Sequence, residues 1–180
     1  MGMVVGDNMV MDCAQVIPGG YDDPDYRVPE VCVIWGNNPT VTNADGFLGH
    51  WIIDLMKRGM TLIDIDPRLS WLGAQSEYYL QIRPGTDGAL ALGWINVIVQ
   101  EDLYDHDFVA NWCYGFEQLA ERAAEYPAAR VAEITGVSED LIVASARRFA
   151  TAKPAAIQWG LKLDQQKHGF GAIHGIICLS

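Results

Sequence analysis

The chain has 180 residues, half of them hydrophobic, with 12 Lys and Arg against 23 Asp and Glu and a formal net charge of −11 at pH 7. That is enough apolar material for one packed domain, and the composition is neither disordered nor collagen-like. The acidic balance argues against nucleic acid as a partner, since a phosphate backbone wants a basic face, and no apolar run reaches the ~18 residues that span a bilayer.

Residues 1–29 are rich in Gly, Pro and Asp (PGGYDDPDYRVP) and read as an irregular lead-in. The start carries no cationic stretch and so no secretory signal, which leaves the cytoplasm as the default location. Val31–Trp35 is a short apolar run stopped by GNNP, which predicts a strand buried on both faces. Residues 46–58 place Phe47, Leu48, Trp51, Ile52 and Leu55 on one helical face, with Lys57, Arg58 and Gly59 as a stop. Met60–Ile65 and Tyr78–Ile82 are the second and third strands, ended by DPR and RPGTD. Asp87 to about Val99 reads as a helix apolar almost all round, hence buried. Residues 105–125 and 138–152 read as helices, the latter with Ser138, Glu139 and Asp140 suited to its start. Ala155–Trp159 is a fourth strand and Gln165 onward a final helix. The chain stops at HGIICLS, inside an apolar run with no turn or cap, and reads as a piece of something larger.

Short apolar strands alternating with helices predict an α/β fold: a doubly wound, mostly parallel, Rossmann-like sheet with helices on both faces. In such a sheet, ligands bind along the edge formed by the carboxyl ends of the strands. Polar and glycine residues collect there, at GNNP (36–39), DPR (66–68), RPGTD (83–87) and WGLKLDQQKHG (159–169). Gly36 and the pair Asn37 and Asn38 permit a tight turn and offer amides to a phosphate or heterocycle. Asp66, ending a strand, is placed to accept hydrogen bonds from ribose hydroxyls. Asp87 is either a helix N-cap or an acceptor for the paired N–H groups of a guanine edge.

The four cysteines, at 13, 32, 113 and 178, form no CxxC pair, so neither a zinc knuckle nor an iron–sulfur cluster is legible. Cys32 and Cys178 lie in apolar settings, and four reduced thiols are the preferred reading. Cys13 is weighed as a metal ligand against a loop or core thiol, and the thiol is preferred. The histidines at 50, 106, 168 and 174 are scattered, and packing or surface roles suit His50 and His174 better than catalysis.

The ordered trio of WGNNP, LIDIDPR and LQIRPGTDGALALGWINVIV resembles the molybdopterin oxidoreductases of the dimethyl sulfoxide reductase type. The resemblance runs on through DHDFVANWCYGFEQL and SEDLIVASARRFATA to WGLKLDQQKHG, covering about residues 30–180. It implies a domain holding one guanosine dinucleotide half of a bis(molybdopterin guanine dinucleotide) cofactor, bis-MGD, with molybdenum or tungsten. Carried across, the contact set is Trp35, Gly36, Asn37, Asn38 and Pro39 toward the pyrophosphate and pterin. Asp66 takes the ribose with Pro67 and Arg68 beside it, and Asp87 takes the guanine after Arg83, Gly85 and Thr86. A fourth motif, GxGxxQHxNG, falls on Gly160, Gln165 and Gly169, but Lys162 replaces its second glycine, while Gln166 and His168 replace its histidine and asparagine. A lysine there can still neutralise a phosphate.

On this resemblance no catalytic residue lies within the chain, and chemistry belongs to a metal bound elsewhere. An iron–sulfur cluster, or a twin-arginine export signal, would lie upstream. The implied partners are the remaining domains of the same catalytic subunit, an electron-transfer subunit and a small-molecule substrate, with no direct membrane insertion. Two alternatives come from other classes. One is the central domain of a thiamine-diphosphate enzyme, suggested by IDIDP at a strand end but opposed by WGNNP and RPGTD. The other is a metal-free structural subunit of a respiratory complex.

Overall fold

The computed structural model describes residues 28–42, 47–163 and 165–180, and the side chains of these residues except Phe47 and Leu48. The lead-in up to residue 27, Cys13 and the inward roles given to Phe47 and Leu48 lie outside that description.

Four parallel strands form the sheet: β1 (Val31–Trp35), β2 (Thr61–Ile65), β3 (Tyr78–Leu80) and β4 (Ala155–Trp159), in the order β3-β2-β1-β4. β1 is buried along its whole length, as an unbroken apolar run between two neighbours requires, whereas edge strand β4 is half-buried throughout. The register sets Trp35 level with both Ile65 and Trp159, and Ile65 level with Leu80. All four chains therefore leave the sheet at one edge.

Helices cover both faces, as the alternation of elements requires. The helix α1 (Pro39–Thr42) is a single turn after β1, and α2 (Phe47–Lys57) and α3 (Trp71–Gln75) follow on either side of β2. On this side Cys32, Ile34 and Leu62 of the sheet pack with Ile52 of α2 and Leu72 of α3. Burial pushes the Cys32 thiol up to about 12. The other layer holds α4 (Asp87–Gln100), α6 (Phe116–Ala124), α7 (Ala128–Thr135), α8 (Glu139–Thr151) and α9 (Gly169–Ile177), while α5 (His106–Trp112), between α4 and α6 in the chain, buries no residue. The core of this layer joins Val31, Val33, Trp35, Ile63 and Ile65 of the sheet to Leu90, Trp94, Val131, Ile142, Phe149 and Ile173. Trp94 lies edge-on to Trp35 and stacked on Phe149, with centroids 5.7 and 5.6 Å apart. α4 is the hub of this layer, and at Gly93 a Cβ would stand 2.8 Å from a Val131 methyl, so α7 approaches more closely than any side chain allows.

Several boundaries differ from the expectations. The helix expected over 105–125 is two helices, because Asp105 caps α5 through the Phe108 amide (2.8 Å) and Gly115 turns the chain at φ +82° before α6. α7 is an addition; it starts after Pro127 and stops at Gly136, φ +80°. α1 and α3 are also additions. The last helix begins at Gly169 rather than Gln165, since Leu161–Leu163 forms a 3-10 turn first. β2 starts one residue later than expected, and β3 stops at Leu80. No helix among the described residues is long and apolar enough to cross a membrane.

Candidate functional site

With the order β3-β2-β1-β4, the connections leave β1 toward β2 on one side and β4 flanks it on the other, so the sheet's topological switch lies between β1 and β4. Two glycines meet there. The Gly160 amide donates to the Trp35 carbonyl at 2.9 Å, the Gly36 amide donates to the Ile65 carbonyl at 2.8 Å, and a Cβ on Gly160 would run into the Gly36 carbonyl oxygen. Gly36 itself sits at φ +59°, where L side chains are strained. The two loops thus cross in direct backbone contact, with the Leu163 side chain packed against Gly36.

The GNNP loop is self-braced. Asn37 Nδ2 donates to Gln158 Oε1 (2.7 Å), linking it to β4. Asn38 is buried, its Oδ1 accepting from Thr40 Oγ1 (2.9 Å), while its carbonyl takes the Thr42 amide and begins α1. Pro39 is buried in the first position of that turn, where a missing N–H costs nothing.

Asp66 stands half-buried just beyond β2. Its Oδ1 accepts the Arg68 amide at 2.7 Å, an Asx turn through Pro67, and its carbonyl accepts the Tyr79 hydroxyl at 3.1 Å. Its Oδ2 has no partner among the described residues, and neither has the Arg68 or Lys162 side chain. Those groups are available to a hydroxyl or a phosphate.

Asp87 proves to be neither a simple N-cap nor an open acceptor. Thr86 is the N-cap, its hydroxyl bonded to the Arg83 carbonyl (2.7 Å), and Asp87 is the first residue of α4, 6% exposed. Oδ1 accepts the Trp35 indole N–H and Oδ2 accepts Gln166 Nε2, each at 3.0 Å. The carboxylate therefore ties β1, α4 and the 160s loop together, and each oxygen keeps a second lone-pair direction for another donor. Gln166, left out of the sequence-based contact set, lies here, while Gln165 is exposed. Gly85, at φ +84°, faces the Gln166 carboxamide.

Arg83 is occupied elsewhere: its Nη1 donates to the Glu133 and Ile134 carbonyls at 2.6 and 3.2 Å, closing the carboxyl end of α7. Cys32, Cys113 and Cys178 are free thiols, and no cluster of three or more metal-ligating side chains occurs among the described residues. Sequence reasoning also missed a carboxyl beneath the site. Asp64, inside β2, is fully buried with Oδ1 unpartnered, and burial together with the Asp66 charge pushes its carboxyl up to about 7.

This edge fits a dinucleotide-bearing group in three respects: a switch point where two loops cross at glycines with no room for a Cβ, an acidic strand end with an oxygen to spare, and, among the described residues, a cation without a partner on each of two flanking loops. A family model described as molybdopterin oxidoreductase matches residues 19–179, and the chain belongs to the molybdopterin oxidoreductase family. Acetylene hydratase from Syntrophotalea acetylenica is 50% identical over 118 residues, 66% of this chain and 16% of that protein. The F420-dependent formate dehydrogenase subunit alpha of Methanocaldococcus jannaschii is 37% identical over 156 residues, 87% of this chain and 23% of its own. Among solved structures, acetylene hydratase from Pelobacter acetylenicus superposes with a TM-score of 0.80 at 36% identity, over 98% of this chain and 24% of that one. The chain thus spans a quarter or less of these relatives. The thiamine-diphosphate and structural-subunit alternatives are not favoured by them.

Proposed function

We propose that this chain is the part of a molybdenum or tungsten enzyme that holds one guanosine dinucleotide half of bis-MGD. The observation that carries the reading is the switch point, where Gly36 and Gly160 bring two bare backbones together at the carboxyl edge of a parallel sheet. Gly36, Asn38 and Pro39 would lie along the pyrophosphate and pterin side. Asp66 would accept the ribose hydroxyls through its spare oxygen, with Arg68 and Lys162 neutralising phosphate charge. Asp87, already oriented by Trp35 and Gln166, would accept the guanine N–H groups. When bound, such a cofactor supplies the metal centre at which a small-molecule substrate is transformed. The residues of this chain bind and orient it, and the rest of the catalytic subunit and an electron-transfer subunit are the partners of this reading.

Asp66→Ala in the cofactor-loaded protein tests it. Loss of a charge-assisted hydrogen bond, worth about 1.5–3 kcal/mol, should lower pterin content at limiting cofactor with the fold intact. Pterin content equal to that of the parent protein would refute the assignment.

A further inference from the structure

The carboxyl of Asp64 is fitted into the layer beneath the edge loops rather than merely tolerated there. Asp64 is paired across the sheet with Ile34 and Tyr79, and its side chain lies on the apolar face shared by Leu62, Ile34 and Leu72. Its Oδ2 accepts the Ser70 hydroxyl at 3.3 Å, and Ser70 Oγ accepts the Gly73 amide at 3.0 Å, capping α3. Gly73 makes the room, since a Cβ there would stand 2.7 Å from Asp64 Oδ2. Strand, cap and glycine are thus matched to one another around a group that a purely apolar strand would not contain.

What this assembly holds is the turn carrying Asp66. The segment 66–70 is fastened by Tyr79 to the Asp66 carbonyl, Asp66 Oδ1 to the Arg68 amide, Gln81 Nε2 to the Pro67 carbonyl (3.1 Å), and Ser70 to Asp64, besides the backbone bond from the Asp66 amide to the Leu80 carbonyl (3.3 Å) and the Ser70 cap on α3. The first three are half-buried or exposed and compete with water, whereas both bonds at Ser70, to Asp64 and from the Gly73 amide, are buried. They close the turn at the end opposite Asp66.

We propose that Asp64 is a positioning residue for ribose recognition: through Ser70 it fixes the 66–70 turn and so aims the free oxygen of Asp66. The inference rests on the ribose reading of Asp66 given above. An asparagine at 64 keeps the shape and can donate to Ser70 Oγ, whereas valine fits the buried strand and cannot bond to it.

The test compares binding of GDP and 2′,3′-dideoxy-GDP by calorimetry to the parent chain, Asp64→Val and Asp64→Asn, with circular dichroism to confirm that each is folded. The parent should prefer GDP by about tenfold or more, the loss expected when a ribose hydroxyl goes missing from a charged acceptor. Asp64→Val should bring that preference to within about threefold while keeping its fold, and Asp64→Asn should restore it. Full preference in Asp64→Val would overturn the positioning role alone, as would equal loss in both variants. A parent chain indifferent to the ribose hydroxyls would overturn the ribose reading itself, and the positioning role with it.

Discussion

Replacing Asp64 by valine should make the protein more stable at neutral pH, by an amount that grows with pH. An ordinary Asp carboxyl titrates at 3.8, whereas burial and the Asp66 charge push this one up to about 7 in the folded chain. Between those values the folded state holds a proton that the unfolded state has released. Stability therefore falls as pH rises through this window, and it levels off above about pH 7. A carboxyl raised that far destabilises the fold by about 4 kcal/mol once it is ionised, an upper figure because the interior relaxes around a buried charge. Losing the Ser70 bond returns about 1 kcal/mol, leaving a net gain for Asp64→Val of about 2–3 kcal/mol at pH 8. Below about pH 3, where Asp64 is protonated in both the folded and the unfolded parent chain, the gain disappears and the lost hydrogen bond leaves the variant slightly less stable. Urea unfolding followed by circular dichroism from about pH 5 to about pH 8 measures this, since titrating groups not coupled to Asp64 are common to both proteins and drop out of the difference, leaving Asp64 and its interaction with Asp66. Parallel stability profiles for parent and variant across that range would refute the reasoning, because they require an Asp64 that is as readily ionised in the fold as in the unfolded chain.

Gly160→Ala should lower the melting temperature by several degrees, the equivalent of about 2 kcal/mol or more, because its Cβ meets the Gly36 carbonyl. Gly171→Ala in α9, where a Cβ meets nothing, should raise it; equal effects would refute the close approach of the two loops. Asp87→Ala leaves the Trp35 indole N–H buried without an acceptor and should cost about 1–3 kcal/mol in thermal melts, while Asp87→Asn should cost less, since Gln166 can turn its carbonyl to the new amide. Ellman's reagent should modify exposed Cys113 in the native protein and leave Cys32 untouched until unfolding; rapid modification of Cys32 would contradict its burial.

The sheet and its edge loops are legible because strands end where glycine, proline and asparagine begin, a local chemistry that survives in one dimension. α5 and α6 merge in the sequence pattern because their apolar positions continue in phase past Gly115, whose left-handed φ is invisible in a helical pattern. α7 escapes it although Pro127 and Gly136 bracket it, being too short for its periodicity to stand out. Asp64 carries no signal of its own in the sequence, because the short helix α3 whose Ser70 and Gly73 surround it is not legible there. Arg83 shows the same limit in the functional loops: the α7 carbonyls to which its guanidinium donates come from 50 and 51 residues further along the chain. Asp87 stands out in the sequence, but its Trp35 and Gln166 partners come from 52 residues before it and 79 after.

That wide separation has a thermodynamic consequence. The segments 36–39, 66–68, 85–87 and 160–166 are neighbours only when β1 and β4, the outermost pieces of the described chain's sheet in sequence, have paired. Half-formed intermediates present at most a fraction of them. A ligand that grips all four binds the native state alone, so its affinity adds directly to the free energy of folding, about 2.7 kcal/mol at a hundredfold excess over its dissociation constant. Loading with such a ligand would act as a late fastening of the whole domain, and the chain without it would, by the same linkage, be more open to proteolysis.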